Sequence, residues 1–132
     1  MSAKIYTDGS CLKNPGGASG WAFVILENDD ETYVSGGDPS STNNRMEMMA
    51  VIKALIYAPN NEYTIYTDSK LVMNCAQGIW GRKANLDLWS KYDNVSKDFT
   101  LKWVWVKAHK GDKYNEIVDD MARSEAIKIK IK

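Results

Sequence analysis

Four acidic residues lie in four separate pieces of the chain, each at a place where a carboxylate could face a shared site. Two follow strand-like runs, one stands at the start of a helical segment, and one follows a loop that carries the single histidine. They are Asp8, Glu47, Asp68 and Asp119. Carboxylates brought together from separate elements repel one another unless cations bind them, and oxygen ligands suit hard divalent metals. If these four converge, they indicate metal-dependent chemistry on a phosphate.

Two of the acids follow strands of nearly the same sequence, since Ile5-Tyr6-Thr7-Asp8 resembles Ile65-Tyr66-Thr67-Asp68. Taken singly, each has an ordinary explanation. Asp8 before a glycine is a common turn pair, and Asp68 could N-cap a helix that begins at Ser69. If the strands are parallel neighbours, however, both carboxylates reach one edge of the sheet. Open α/β sheets usually bind ligands at that edge.

The other two acids belong to helical segments. Glu47 follows Asn44 by three positions, as in a helix capping box, and Asp119 precedes Arg123 by four, the spacing of an ordinary helical ion pair. Yet Glu47 shares its helix face with apolar residues, and Asp119 lies one turn from Ala122. Both acids are therefore predicted near the boundary of the core. An unpaired charge is costly there, and a divalent metal would neutralise it.

The single histidine, His109, lies in a loop among Lys107, Lys110 and Gly111. A lone loop histidine is usually a polar surface residue, and the chain offers no set of nitrogen and sulfur ligands for zinc. Beside a carboxylate cluster, its near-neutral pKa suits it better to carrying a proton.

Composition limits the class of protein. The 132 residues suit one domain spanning 1–132, and the 44% apolar and 26% charged shares are those of a globular protein. No apolar run is long enough for a membrane span, and the N-terminus does not resemble a signal peptide. Cys11 and Cys75 are too few for a disulfide scaffold and favour reduced thiols. We therefore expect a cytoplasmic protein with no membrane association.

The formal net charge is zero, so the chain as a whole is not drawn to a polyanion. Basic residues are nevertheless concentrated in the second half: Arg82, Lys83, Lys91, Lys102, Lys107, Lys110 and Lys113. This distribution permits a nucleic-acid surface, but ordinary solvated lysines explain it equally well.

Periodicity and turn residues predict the elements that must position the acids. In order, they are strands over Lys4–Thr7, 21–26 and 32–35, a helix over Arg45–Ala58, a strand over Tyr63–Thr67, short helices over 69–77 and 86–95, a strand over 101–106 and a helix from about Tyr114. The alternating Ile-Lys tail from Ile127 fits a helix, a strand or a frayed end. This order indicates a mixed sheet covered by helices in a three-layer α/β arrangement.

Four motifs closely resemble those of type 1 ribonuclease H, in the same order and over nearly the whole chain. They are Thr7-Asp8-Gly9-Ser10-Cys11, Thr42-Asn43-Asn44-Arg45-Met46-Glu47, Tyr66-Thr67-Asp68-Ser69, and Val106-Lys107-Ala108-His109 followed by Asn115-Glu116 and Asp119. The block from Asn43 to Glu47 is highly specific, whereas Asp-Gly-Ser alone is weak. The resemblance implies a ribonuclease H-like α/β fold, a five-stranded mixed sheet with helices on both faces.

The resemblance also implies a hydrolase, an endoribonuclease that cleaves the RNA strand of RNA–DNA hybrids without sequence preference. Asp8, Glu47, Asp68 and Asp119 would be catalytic and would bind two Mg²⁺ or Mn²⁺ ions per site together with the substrate. One ion would activate water and the other would stabilise the leaving 3′ oxygen, giving 5′-phosphate and 3′-hydroxyl ends. His109 would assist proton transfer or product departure.

Two sets of nucleic-acid contacts are implied by the same resemblance. Contacts that detect the 2′-hydroxyl of the RNA strand would come from Gly9, Ser10, Cys11, Asn14, Asn43 and Asn44. On the DNA strand, Thr42 and Asn85 would hold a phosphate, and Trp80 would pack beside a sugar. For Trp80 the alternative is core packing at the end of a helix.

The chain lacks a basic substrate-binding segment that many bacterial members of that family carry. The stretch from Ile79 to Asn85 is too short for their basic helix-and-loop handle and leaves only Arg82 and Lys83. No separate hybrid-binding domain is expected before residue 4. We therefore expect weaker hybrid binding with a shallower salt dependence, because fewer phosphates are neutralised.

An active, monomeric, hybrid-specific endoribonuclease is the favoured hypothesis. The alternative is a catalytically weak hybrid-binding module of a replication complex, but such a module has no need to assemble four acids. A related nuclease or integrase-like enzyme on the same fold would keep the acids without the asparagine-rich block.

Overall fold

The computed structural model describes residues 3–107 and 111–131. Within these ranges it contains five strands and four helices, arranged as a sheet between two helical layers. The elements are β1 (Lys4–Cys11), β2 (Ser19–Glu27), β3 (Asp30–Asp38), α1 (Asn43–Tyr57), β4 (Glu62–Thr67), α2 (Lys70–Ala76), α3 (Leu86–Ser96), β5 (Thr100–Trp105) and α4 (Lys113–Lys130). The prediction of a five-stranded mixed sheet with helices on both faces is confirmed.

The strand order across the sheet is β3-β2-β1-β4-β5, with β1 at the centre. β1, β2 and β3 form an antiparallel meander, whereas β4 runs parallel to β1 and β5 runs parallel to β4. In the β1–β4 pair, Tyr6 lies opposite Tyr66. The two strands therefore reach Asp8 and Asp68 in equal register at their carboxyl ends.

The core has one apolar cluster on each face of the sheet. On one face, α1, α2 and α3 cover β-strand side chains such as Ile5, Phe23 and Ile65. On the other face, α4 packs Val118 and Ala122 against Tyr6, Ala22 and Val24. α4 comes close to the sheet because β2 has a glycine beneath it: a Cβ added at Gly20 would lie 2.1 Å from the carbonyl oxygen of Ala122.

The first strand is longer than its sequence pattern predicts. Asp8 and Gly9 were candidates for a turn, but both remain in β1, paired with Ala22 and Trp21 of β2. Pairing continues to Cys11 because the antiparallel partner satisfies the backbone groups of each residue. The turn interpretation of Asp8 is therefore wrong.

The helix caps also differ from two of the ordinary explanations for the acids. Thr42, not Asn44, is the N-cap of α1, since its hydroxyl oxygen accepts from the Arg45 backbone N–H at 3.2 Å. Ser69, not Asp68, is the N-cap of α2, with its side chain accepting from Val72. Neither Glu47 nor Asp68 is thus occupied by a capping role.

The C-terminal Ile-Lys segment continues α4 as far as Lys130. Ile129 packs over Gly37 of β3, where an added Cβ would lie 2.3 Å from its Cδ1 atom. This contact packs the last turns of α4 against the edge strand β3. No helix in the part of the chain that the structure describes has the length and apolar character needed to cross a membrane.

Candidate active site

Three of the four predicted acids converge at the carboxyl ends of the central parallel strands. Asp8 lies at the end of the buried part of β1, Asp68 follows β4, and Glu47 comes from the first turns of α1. Each offers a carboxylate oxygen, and these oxygens all lie within 4.8 Å of one another. Asp8 is 4% exposed and Glu47 is 9% exposed, so two of the three carboxylates are buried.

The close approach of α1 to β1 depends on Gly9. A Cβ at this position would lie 2.5 Å from the backbone nitrogen of Glu47 and equally near the carbonyl carbon of Met46. Without a side chain, the backbone N–H of Gly9 donates a hydrogen bond to Oε1 of Glu47. It also lies 2.9 Å from Oδ1 of Asp8. The glycine thus joins the two buried carboxylates, a packing role that the Asp-Gly-Ser motif does not reveal by itself.

Burial and neighbouring negative charge both act on two carboxyls of the cluster, Asp8 and Glu47. Burial raises the pKa of Asp8 to about 7, and the charges of Asp68 and Asp119 add to the rise. Burial also raises the pKa of Glu47 well above its ordinary value, with the Asp8 charge as the next cause. The side chain of Asp68 adds a further, smaller rise to the pKa of Glu47. Positive charge at this position would be strongly favoured.

The fourth predicted acid, Asp119, lies beside the cluster but is paired elsewhere. Its carboxylate accepts from Arg123, one turn later on α4, as the i, i+4 spacing predicted. Arg123 also contacts Asp120. The charge of Asp119 also contributes to the raised pKa of Asp8, so the two carboxylates interact electrostatically. His109, the predicted proton carrier, lies outside the described residues.

The residues predicted to contact an RNA strand lie at the end of β1, in the loop that follows it and at the start of α1. The loop after β1 and the segment before α1 are tied together by backbone hydrogen bonds, including Gly16 N–H to Ser41 O at 2.7 Å. This brings Asn14 next to the start of α1, where its Oδ1 accepts from the Asn43 backbone N–H at 3.1 Å. Asn43 and Asn44 are exposed at this helix start.

The residues predicted to contact a DNA strand lie at the N-cap of α1, which is Thr42, and in the α2–α3 connection. Trp80 is 45% exposed, so the core-packing alternative is wrong for it. Asn85 immediately precedes α3 in a left-handed conformation with φ of 56°. A contact missed from the sequence joins these elements: Arg45 of α1 bonds to both Asn85 and Asp87. The placement of Arg45 inside the most specific motif was its only signal.

Arg82, expected to be part of the remaining basic surface, is used within the fold. Its guanidinium donates to the carbonyl oxygen of Cys75 at 3.0 Å, near the end of α2, and forms an ion pair with Asp93 at 2.7 Å. It also stacks against Trp89, with its Cζ atom 4.6 Å from the ring centroid. Its charge is thus balanced internally, and of the two basic residues only Lys83 remains for an external partner.

The donor set fits a hard divalent cation. Carboxylate oxygens are the ligands that Mg²⁺ and Mn²⁺ prefer. The three side chains come from β1, α1 and the end of β4, so they are held by separate parts of a rigid scaffold. The raised pKa values of Asp8 and Glu47 reflect the cost of burying these two carboxylates beside other acids. Asp8, Glu47 and Asp68 are therefore the residues that could hold a metal.

Known sequences similar to this chain are ribonucleases H. The RNase H family model matches residues 1–127. A ribonuclease H of Neorickettsia sennetsu is 43% identical over 138 residues, which cover 92% of this chain and 91% of that protein. A ribonuclease HI of Campylobacter jejuni is 41% identical, covering 96% of this chain and 92% of its own length.

Solved structures share the same fold. The N-terminal ribonuclease H domain of rv2228c from Mycobacterium tuberculosis superposes with a TM-score of 0.83 at 21% identity, covering 98% of each chain. LC11-RNase H1, solved in complex with an RNA/DNA hybrid, gives a TM-score of 0.82 at 22% identity, covering 96% of this chain and 98% of that one. At these identities the likeness concerns the fold.

Proposed function

The chain belongs to the ribonuclease H family, and from this premise we propose that it is an endoribonuclease that hydrolyses the RNA strand of RNA–DNA hybrids. The products carry 5′-phosphate and 3′-hydroxyl ends. The observation that carries this proposal is the convergence of Asp8, Glu47 and Asp68 within 4.8 Å at the end of the central strands. Burial and neighbouring acids raise the pKa values of Asp8 and Glu47, and a divalent cation would relieve the cost of their ionised forms.

Two divalent cations, Mg²⁺ or Mn²⁺, would supply a Lewis acid for the phosphate and a water of lowered pKa. Asp8, Glu47 and Asp68 would hold them, and Asp119 would complete the ligand set by exchanging its Arg123 contact for a metal. The Gly9 N–H keeps Glu47 oriented toward Asp8. In this proposal His109 carries a proton to or from the site, a role inferred from its place in the sequence motif.

Selection of the hybrid is assigned to residues around the cluster, at the end of β1, in the loop after it, at the start of α1 and between α2 and α3. Gly9, Ser10, Cys11, Asn14, Asn43 and Asn44 contact the RNA strand and detect its 2′-hydroxyl groups, the feature that distinguishes RNA from DNA. The pairing of Asn14 with the backbone of Asn43 supports this grouping, because it holds both residues on one surface. Thr42 and Asn85 hold a phosphate of the DNA strand, and exposed Trp80 packs beside a sugar.

We assign residues 1–132 to a single catalytic domain that acts as a cytoplasmic monomer. The thiols of Cys11 and Cys75 are unpaired, which agrees with a reducing compartment.

The proposal is tested by incubating the pure protein with labelled RNA–DNA hybrid, RNA duplex and DNA duplex, each with Mg²⁺ or Mn²⁺. Cleavage of the RNA in the hybrid alone is expected, and Asp8→Asn should abolish it. Asp29→Asn, an exposed acid in the β2–β3 turn, is the matched control and should retain full activity. Tight hybrid binding without cleavage by either metal would instead identify a hybrid-binding module.

A further inference from the structure

Asn85 has an unusual position at the start of α3. It occupies the N-cap place with φ of 56° and ψ of 37°, yet its side chain makes no capping hydrogen bond to the helix. An asparagine normally accepts from a backbone N–H at this position. Here its Oδ1 instead accepts from Nη1 of Arg45, at 3.2 Å, on the facing helix α1. The amide is thus turned away from its own helix.

Arg45 determines which end of that amide is exposed. A guanidinium has only donors, so the asparagine oxygen must face it and the NH₂ group must point away. Arg45 is itself held by a two-point contact with Asp87, Nη1 to Oδ1 at 3.0 Å and Nη2 to Oδ2 at 2.8 Å. The hydrogen bonds from Arg45 lower the pKa of Asp87 to about 2, so this contact remains ionised at neutral pH.

Thr42 is also held by Arg45 in a way that leaves a hydrogen-bond donor available. Its hydroxyl oxygen accepts from the Arg45 backbone N–H. A hydroxyl still has its hydrogen to donate when its oxygen accepts. A phosphate offers only acceptors at neutral pH, so it requires donors such as the Thr42 O–H and the Asn85 NH₂.

We propose that Arg45, fixed by Asp87, is a positioning residue that turns the Asn85 amide so that its NH₂ group donates to the DNA-strand phosphate of the bound hybrid. This inference rests on the proposed function, because it takes the hybrid as substrate. In this proposal Arg45 does not contact the phosphate itself, and its three hydrogen bonds to Asp87 and Asn85 hold it in place. It acts through Asn85.

The chain offers a matched control on the same helix. Arg82 and Asp93 form a second ion pair, 2.7 Å long, in which the carboxylate is 58% exposed, compared with 65% for Asp87. Each pair joins α3 to a preceding element, but only the Arg45 pair touches a residue assigned to the substrate. A purely structural effect of losing an arginine–aspartate pair should therefore appear in both.

The test is a double-mutant cycle of Asp87→Ala and Asn85→Ala, measured as kcat and KM for the hybrid and as Kd with Ca²⁺ in place of the catalytic metal. Asp87→Ala is expected to raise KM and Kd about fivefold with kcat unchanged, because a uniform binding contact is lost. In the Asn85→Ala background it should have no further effect. Arg45→Lys, which keeps the charge but loses the fork, should match Asp87→Ala, whereas Asp93→Ala should leave KM unchanged.

Other outcomes distinguish failure of the positioning role of Arg45 from failure of the proposed hybrid-cleaving activity. An equal KM increase from Asp87→Ala with and without Asn85 would overturn the positioning role, as would no increase at all in a folded variant. Thermal unfolding of each variant identifies loss of fold, and Asp87→Asn provides a milder change if the alanine variant is unstable. Wild-type protein that neither binds nor cleaves hybrid would overturn the proposed function itself.

Discussion

The rings of Tyr6 and Tyr66 stack with their centroids 4.5 Å apart and an interplanar angle of 10°. They lie opposite each other on the parallel strands β1 and β4, two residues before Asp8 and Asp68. A slip of one residue between the strands would break this stack and would also turn one of the two acids to the other face of the sheet. The aromatic pair therefore fixes the register on which the acidic cluster depends.

We expect the metal-free protein to lose stability as the pH rises from about 4 toward 8. The folded-state pKa of Asp8 is raised from 3.8 to about 7, and that of Glu47 is also raised. The folded protein then binds more protons than the unfolded chain across this window, and that stabilisation is lost as the pH passes the raised values. Urea denaturation in EDTA should show a lower midpoint at pH 8 than at pH 5, and Mg²⁺ should recover it.

Asp8→Asn removes one of the repelling charges. It should flatten this pH dependence and raise the metal-free free energy of unfolding at pH 8 by about 1–3 kcal/mol. Asp29→Asn should change neither quantity. A metal-free midpoint that rises between pH 5 and pH 8 would contradict the raised pKa values assigned to the two buried carboxyls.

Gly9→Ala should damage the site more than the fold. The new Cβ would lie 2.5 Å from backbone atoms of Met46 and Glu47, so the start of α1 must move away from β1. Overpacking of this kind costs about 1–3 kcal/mol, and a shift of Glu47 should lower kcat about 100-fold. Steady-state kinetics and thermal unfolding measure the two effects. Gly81→Ala is the control, because its Cβ would meet nothing within 4 Å.

Arg123→Ala should reduce the Mg²⁺ concentration needed for half-maximal activity. Asp119 must leave Arg123 before it can bind a metal, and a partly exposed ion pair of this kind is worth about 0.2–1 kcal/mol. The expected decrease is about twofold. Lys128→Ala removes a cation from the same helix whose partner, Glu125, is not one of the four acids, and should leave the metal requirement unchanged. An increased Mg²⁺ requirement in Arg123→Ala would contradict the competition.

Lys83 and Arg82 should differ in their contribution to hybrid binding although they are neighbours. Lys83→Gln should make the slope of log Kd against log salt shallower by about 0.9, the loss of one phosphate contact. Arg82→Gln should lower the melting temperature but leave the slope unchanged, because its charge is engaged by Asp93 and its stacking by Trp89. Equal changes in slope would show that Arg82 reaches the substrate.

The sequence was sufficient to predict the order of elements, because apolar periodicity and turn residues depend on local spacing. It did not predict that β1 continues through Asp8 and Gly9, since that depends on antiparallel pairing with β2. The proximity of Asp8 and Asp68 followed from the expected parallel register of two similar strands, and that of Glu47 from the apolar face of its helix. The contact from Arg45 to Asp87 could not be predicted, because 42 positions of chain separate the partners and neither side chain has a local pattern that identifies the other.

The connection between α2 and α3 is a place where a basic, substrate-binding segment could be inserted or lost without disturbing the rest of the fold. A Cβ at Gly78 or Gly81 would meet nothing within 4 Å, so this backbone lies open to solvent. Arg82 follows Gly81 and donates a hydrogen bond to the Cys75 carbonyl oxygen near the end of α2, which fixes this end of the connection. A longer basic segment could be spliced in at Gly81 at little entropic cost, because loop closure depends only weakly on length. A basic segment could therefore be inserted into this chain, and its contribution to hybrid binding could be measured on an otherwise unchanged catalytic domain.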